Sequence, residues 1–195
     1  MSKIGKPRLD LMLDIETLGT DSDTTLIQLA CVAFDIRTGS IVSEFNEFID
    51  IGQTKDLKVT GSTIKWWLKT DSTLFKSLIE RGSLSEREVF ARFHNWMKGL
   101  QETYSLYAWG NGLLFDLAII KTKLTQYGFS YPISFKTERD VRTIVDLYCA
   151  KKGITEKQFK DIHKSNDLVV HNGLDDCKFQ IRFVVEAYKD LVGLV

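Results

Sequence analysis

A chain of 195 residues with 26 basic and 26 acidic side chains carries no net charge, so affinity for nucleic acid must come from local patches or bound metal, not from general polyanion coating. Hydrophobic residues at 44% and charged ones at 27%, with only Pro7 and Pro132 as prolines, are ordinary proportions for a soluble globular protein with one sizeable core, and one domain over 1–195 is expected. Cys31, Cys149 and Cys177 make neither a C-x-x-C pair nor a disulfide framework, no apolar run reaches spanning length, and Met1 to Asp10 lack a signal-peptide core, which predicts a cytoplasmic protein without membrane partners.

Three early apolar runs read as strands: Leu9 to Ile15, Leu26 to Phe34 and Ile41 to Ile49. The last two flank Asp35-Ile36-Arg37-Thr38-Gly39-Ser40, whose glycine suits a positive-φ turn position, so they predict an antiparallel hairpin. The period then becomes helical over Ser62 to Lys69, Asp71 to Glu80 and Ser85 to Gly99. Ser85-Glu86-Arg87-Glu88 is a capping-box pattern ahead of an apolar face at Val89, Phe90, Phe93, Trp96 and Met97. A short strand, Ser105 to Trp109, leads through Gly110-Asn111-Gly112 to a helix from about Leu114 to Tyr127. An apolar segment at Ile133 to Phe135 precedes a helix from about Glu138 to Lys152. A polar loop follows over Gly153 to Leu168, and a last helix runs from about Gly173 to Leu191. A strand meander followed by alternating strands and helices predicts a mixed α/β sheet, antiparallel first and parallel later, flanked by helices.

Chemistry concentrates at the end of the first strand. In Leu11-Met12-Leu13-Asp14-Ile15-Glu16-Thr17 a buried-type run ends in two acids spaced i, i+2, which alternation places on one face. Paired buried carboxylates repel and lose hydration, a cost that folded proteins tolerate mainly where a cation offsets it. A third acid, Asp116, opens the helix after the Ser105 to Trp109 strand. Taken alone it is an ordinary helix-start acid, favourable near the positive end of the dipole. A fourth, Asp176, opens the last helix five residues after His171, with Asp175 beside it as a rival ligand or cap. Four acids and one imidazole are the donor set of a hard cation such as Mg²⁺ or Mn²⁺, and two such ions about 3.5 to 4 Å apart can stabilise both oxygens of a phosphodiester displacement.

In this order the residues resemble the DEDDh group of 3′-to-5′ exonucleases, through Asp14 and Glu16, Asp116, and His171 with Asp176. Within the group the chain looks most like the small stand-alone branch that includes phage exonuclease A and mycobacterial-type exoribonucleases, which share a pair comparable to Trp66-Trp67 and an N-G-x-x-F-D-like second motif. The resemblance implies an RNase H-like fold and hydrolysis of single-stranded DNA or RNA from the 3′ end to 5′-monophosphates with two Mg²⁺ or Mn²⁺ ions. It implies that Asp14 bridges both ions, that Glu16 and Asp176 complete one site, that Asp116 serves the second and that His171 is the general base. It favours Asp176 over Asp175 as the ligand. Thr17 and Leu18 are then expected at the 3′-terminal nucleotide, with Leu18 as a wedge, and Asn111 and Phe115 as further contacts. A homodimer is compatible with the same analogy, as is a host cytoplasm if the chain is of phage origin.

Trp66 and Trp67 point about 100° apart on a helix, so one is expected in the core and the other, taken as Trp66, at the nucleotide pocket. His94 and His163 carry no assigned role. Cys177, beside Asp176, reads as packing, because hard ions disfavour sulfur. Two other readings compete. A polymerase proofreading or accessory subunit would carry a partner-binding extension, and an inactive nucleic-acid-binding module would have lost an acid. All four acids are in place.

Overall fold

The computed structural model describes residues 5–164 and 167–194. Its centre is a five-stranded sheet in the order β3-β2-β1-β4-β5, formed by β1 (Arg8–Thr17), β2 (Leu26–Phe34), β3 (Ile41–Phe48), β4 (Ser105–Gly110) and β5 (Glu138–Asp140). The first three strands pair antiparallel, while β4 joins β1 in parallel, Leu13 opposite Gly110, and β5 joins β4 in parallel. The expected meander-then-parallel sheet is therefore present.

Alternation along β1 sorts its side chains between two helical layers. Leu9, Leu11, Leu13 and Ile15 pack with Val89, Phe90, Phe93 and Met97 of α3 (Glu86–Thr103) and with Leu117, Ile120 and Leu124 of α4 (Asp116–Gln126). Met12 faces the opposite layer, where Val145 of α5 (Val141–Lys152), Phe159 of α6 (Glu156–Ile162) and Cys177, Ile181 and Val184 of α7 (Gly173–Leu191) lie. Asp14 and Glu16 share the phase of Met12, so the sheet delivers them to the face that α7 covers. A third apolar cluster, with Leu18, Ile27, Phe48, Trp67 and Leu78, closes the sheet end beneath α1 (Gly61–Thr70) and α2 (Ser72–Glu80).

Buried polar groups anchor these layers. Asp10 accepts from Arg8 at 2.8 Å and from Trp109 Nε1 at 2.7 Å, tying β1 to β4 at the end away from Asp14. Glu86, 4% exposed, takes the Leu26 amide, Lys123 at 3.0 Å and the Tyr127 hydroxyl, joining the start of β2 to α3 and α4. Truncating either member of the Glu86–Lys123 pair would strand a buried charge, a loss of about 3–5 kcal/mol.

Three sequence expectations change. The segment expected to begin a helix at Glu138 first forms β5, because Asp140 caps α5 by accepting from Thr143 N at 2.9 Å and so starts the helix at Val141. Helix α4 starts at Asp116, two residues later than expected, because Gly112 to Phe115 form a turn closed by Phe115 N donating to Gly112 O. The stretch read as a polar loop contains α6, a short helix with a Thr155–Gln158 capping box and only Phe159 buried. The Ser85–Glu88 capping box is formed as expected.

Candidate active site at the carboxyl ends of β1 and β4

Asp14 and Glu16 project from the end of β1 toward the first turn of α7, and carboxylate oxygens of Asp14, Glu16 and Asp176 lie within 4.8 Å of one another. Helix α7 is seated by Gln28, the polar residue in an otherwise apolar β2. Its Oε1 accepts from Gly173 N at 3.0 Å, and its Nε2 is held by Asn46 Oδ1. Cys177 Sγ donates to Met12 O, so its role is packing and anchoring.

Asp116 approaches from the other side. Strand β4 ends at Gly110, and the Ile15 amide beyond that point donates to the Asp116 carboxylate instead. This close approach requires Gly110: a Cβ there would stand 2.6 Å from Leu117 Cδ1 and 3.6 Å from Asp116 Cβ. Leu117 is buried, which limits how far it can retreat.

Burial and mutual repulsion dominate the electrostatics. Desolvation, then the charges of Asp116, Glu16 and Asp176, push Asp14 well above the usual carboxylate range, against one hydrogen bond from Gln180 Nε2 at 3.0 Å. Glu16 is raised well above its usual value by burial and by Asp176 and Asp116. Burial raises Asp116 to about 7 despite amide hydrogen bonds and the charge of Arg142, and raises Asp176 to about 6 despite the His171 amide. A hard divalent cation fits this donor set, because it supplies the charge that the four acids lack and takes the oxygen ligands they offer.

His171 sits at φ 65°, a left-handed conformation uncommon for a residue with a Cβ. Its amide donates to Asp176 Oδ2 at 3.0 Å, and its ring stands edge-on to Trp66 and Trp67, with centroids 4.9 and 6.4 Å away. Burial lowers its pKa, so the imidazole is neutral at pH 7. Asp175 instead accepts from Val169 N, and Asn172 caps α7, which separates the two neighbouring acids into a loop tie and a cluster member.

A cleft of about 480 Å³ opens beside Glu16, lined by Thr17, Gly19, Ser62, Trp66, Trp67 and Phe115 among others. The tryptophans divide as expected: Trp66 is 44% exposed, whereas Trp67 is 1% exposed, stacks on Phe75 and donates from Nε1 to Thr17 O. Leu18, expected as a wedge, is 3% exposed and packs with Ile27, Phe48 and Trp67 rather than lining the cleft. Asn111 lies in the turn before Asp116, with its Oδ1 buried and unpartnered among the described residues. A second groove of about 540 Å³ reaches the far side of Asp176, but its Lys157, Lys160 and Lys164 are paired with Glu156 and Asp161.

Gln180 and Gln28 were not anticipated as site residues. Gln180 lies one helical turn beyond Asp176, the spacing that shares a face, and Gln28 breaks an apolar run; both were readable signals.

Two buried acids on β1, one at the β4–α4 junction and a His-x4-Asp at the start of α7, set on this mixed sheet, define an RNase H-like 3′-to-5′ exonuclease of the DEDDh type. Residues 9–188 match the model of the Rv2179c-like 3′-5′ exoribonuclease domain, and the chain belongs to that family. An exodeoxyribonuclease of Enterobacteria phage T4 is 24% identical over 210 residues, spanning 95% of this chain and 91% of that protein. The nuclease domain of 3′hExo, a DEDDh family member solved bound to rAMP, superposes with a TM-score of 0.63 at 18% identity, covering 93% of this chain and 92% of that one. E. coli exonuclease I in complex with a dT13 oligonucleotide gives 0.62 at 16% identity over 94% of this chain and 41% of that one. Among the described residues no helix is long and apolar enough to cross a membrane.

Proposed function

We propose that this exonuclease removes nucleotides from the 3′ end of single-stranded DNA or RNA, releasing 5′-monophosphates in a reaction dependent on two Mg²⁺ or Mn²⁺ ions. The observation that carries the reading is the cluster of half-buried Asp14 and Asp176 with buried Glu16, Asp116 close enough to repel it, beside a cleft floored by aromatic side chains. Asp14, Glu16 and Asp176, together with Asp116, would hold the ions. Bound there, such ions would supply positive charge for the scissile phosphate and the leaving oxygen.

The chain's own groups do the rest. His171, neutral at pH 7, takes a proton from the water whose oxygen attacks phosphorus, while the bond to the 3′ oxygen of the upstream nucleotide breaks. The leaving 3′ oxygen takes a proton from solvent, so the upstream strand keeps a 3′-hydroxyl and the terminal nucleotide leaves with its 5′-phosphate. Thr17, Phe115 and the exposed edge of Trp66 hold that nucleotide, by stacking and by excluding water. The three cysteines, all buried and unpaired, suit a reducing cytoplasm.

The test is a denaturing gel of 5′-labelled DNA and RNA oligonucleotides with Mg²⁺, Mn²⁺ or EDTA. A metal-dependent ladder shortening from the 3′ end is expected, and the faster ladder identifies the sugar preference. Substrates intact under every condition would overturn the reading in favour of a binding module.

The tryptophan pair gives a second test. Trp67→Ala should destabilise the fold by about 3–5 kcal/mol in chemical denaturation, the usual loss for a buried Trp. Trp66→Ala should leave the denaturation midpoint nearly unchanged and raise KM for oligonucleotides by about tenfold or more, since stacking one base is worth about 1–3 kcal/mol. The opposite pattern would exchange their roles.

A further inference from the structure

We infer that Arg142 binds the phosphate on the 5′ side of the penultimate nucleotide, one phosphate upstream of the bond to be cut. The inference rests on the proposed 3′-exonuclease reading and extends the same site. The sheet order sets the path: along the carboxyl ends of β1, β4 and β5 stand, in turn, Glu16, the Asp116 junction and the start of α5 with Arg142. The aromatic cleft lies on the β1 side of the carboxylates. A strand with its terminal nucleoside in that cleft and its scissile phosphate on the acids therefore continues toward the β4–β5 corner.

That corner is built around the arginine. Gly112 has φ 132°, closed to ordinary side chains, and a Cβ there would stand 3.6, 3.7 and 3.9 Å from Arg142 Nη2, Cζ and Nη1. The guanidinium thus sits where a side chain at this position would meet it. Asp140 fixes both partners: its Oδ1 accepts from Thr143 N in α5, and its Oδ2 accepts from Leu113 N in the turn. The turn and the first residues of α5 are thus locked together.

Arg142 itself is exposed and makes no ion pair or hydrogen bond among the described residues, although its charge is felt at Asp116. Arg8, Arg92 and Arg182 each engage an acid. A planar fork of five donors, carried beside Gly112 on a locked corner and without an ion pair or hydrogen bond among the described residues, matches a phosphate dianion or diester. Leu114, 94% exposed in the same turn, offers an apolar surface for the penultimate base.

The experiment compares a dinucleotide bearing a 5′-phosphate with the same dinucleotide ending in a 5′-hydroxyl, since only the first carries the upstream phosphate. Wild-type protein should favour the phosphorylated form in kcat/KM by about tenfold or more, expressed mainly in KM, as expected for one charge-assisted contact. Arg142→Gln should bring that ratio close to one, and Arg142→Lys should restore part of it. A ratio preserved in Arg142→Gln, including an equal loss on both dinucleotides, would overturn the assignment. So would the absence of any preference in the wild type.

Calorimetric titration of the two dinucleotides onto the Asp14→Asn protein, with and without Arg142→Gln, reads the subsite without turnover. A phosphate-dependent affinity that needs Arg142 supports the subsite even if wild-type hydrolysis failed, which would sink the exonuclease reading alone. Affinity independent of either change overturns the subsite.

Discussion

Asp14→Asn is expected to lower turnover by about a thousandfold or more and, at the same time, to raise the melting temperature of the metal-free protein. The first effect follows from its position: Asp14 clusters with Glu16 and Asp176 and feels the charge of Asp116, and the charge stabilisation that divalent ions supply is worth several kcal/mol. The second follows from the same contacts. Without a cation, Asp14 must either keep a desolvated charge among three other acids or take up a proton, and one hydrogen bond from Gln180 relieves the charged form. An amide removes the repulsion and offers a donor to Gln180 Oε1, which is buried and unpartnered among the described residues. Each kcal/mol regained would shift the midpoint by about 2–4 °C in a chain of this size. Scanning fluorimetry in EDTA, with oligonucleotide hydrolysis in Mg²⁺, checks both. Unchanged hydrolysis would refute the ligand role, and an unchanged or lower midpoint would refute the stored repulsion.

The pH dependence has a definite sign. Folding raises these carboxylate pKa values, so the metal-free native state holds protons that the unfolded chain releases. The contribution of these groups to its stability is therefore greatest below the unfolded range near 4 and is lost as the pH climbs through about 6 at Asp176 and about 7 at Asp116. Cations compete with those protons. The rise in melting temperature produced by Mn²⁺ over EDTA should accordingly grow between pH 5.5 and pH 8, and a rise independent of pH would contradict the linkage.

Much of this was legible because two periodicities cooperate. The i, i+2 spacing of Asp14 and Glu16 specified a shared face without tertiary knowledge, and the apolar run that leads up to them marked a buried strand. Asp116 and Asp176 were legible only as members of the set, because each alone is an ordinary helix-start acid. What remained hidden depended on distant pairing. Three residues, Glu138–Asp140, became a strand because β4 offers a free edge there, which no local propensity encodes. Leu18 looked available beside Thr17, yet Trp67 and Ile27 arrive from α1 and β2 to cover it. The strain at His171 is likewise invisible in sequence: its positive φ is imposed by Asp176 Oδ2 receiving its amide while Asn172 caps α7.

That strain shapes the test of the base. His171→Ala should reduce kcat by about 10²–10⁴-fold, the span of a positioned proton acceptor, while the Mn²⁺-induced rise in melting temperature persists because no carboxylate is lost. Alanine retains a Cβ at φ 65°, so part of any stability loss would be conformational. His171→Gly separates the two contributions: glycine adopts this φ freely and leaves a slot beside Trp66 and Trp67, whose rings now face the imidazole. Added imidazole should restore activity to the glycine variant, with a dependence on pH that follows the free base of the added imidazole. In the wild type, burial keeps the ring neutral, so its acid limb should lie below the usual histidine value of 6.5. Loss of the Mn²⁺ effect in either variant would instead make His171 a ligand, and near-wild-type turnover in both would assign the proton to another acceptor.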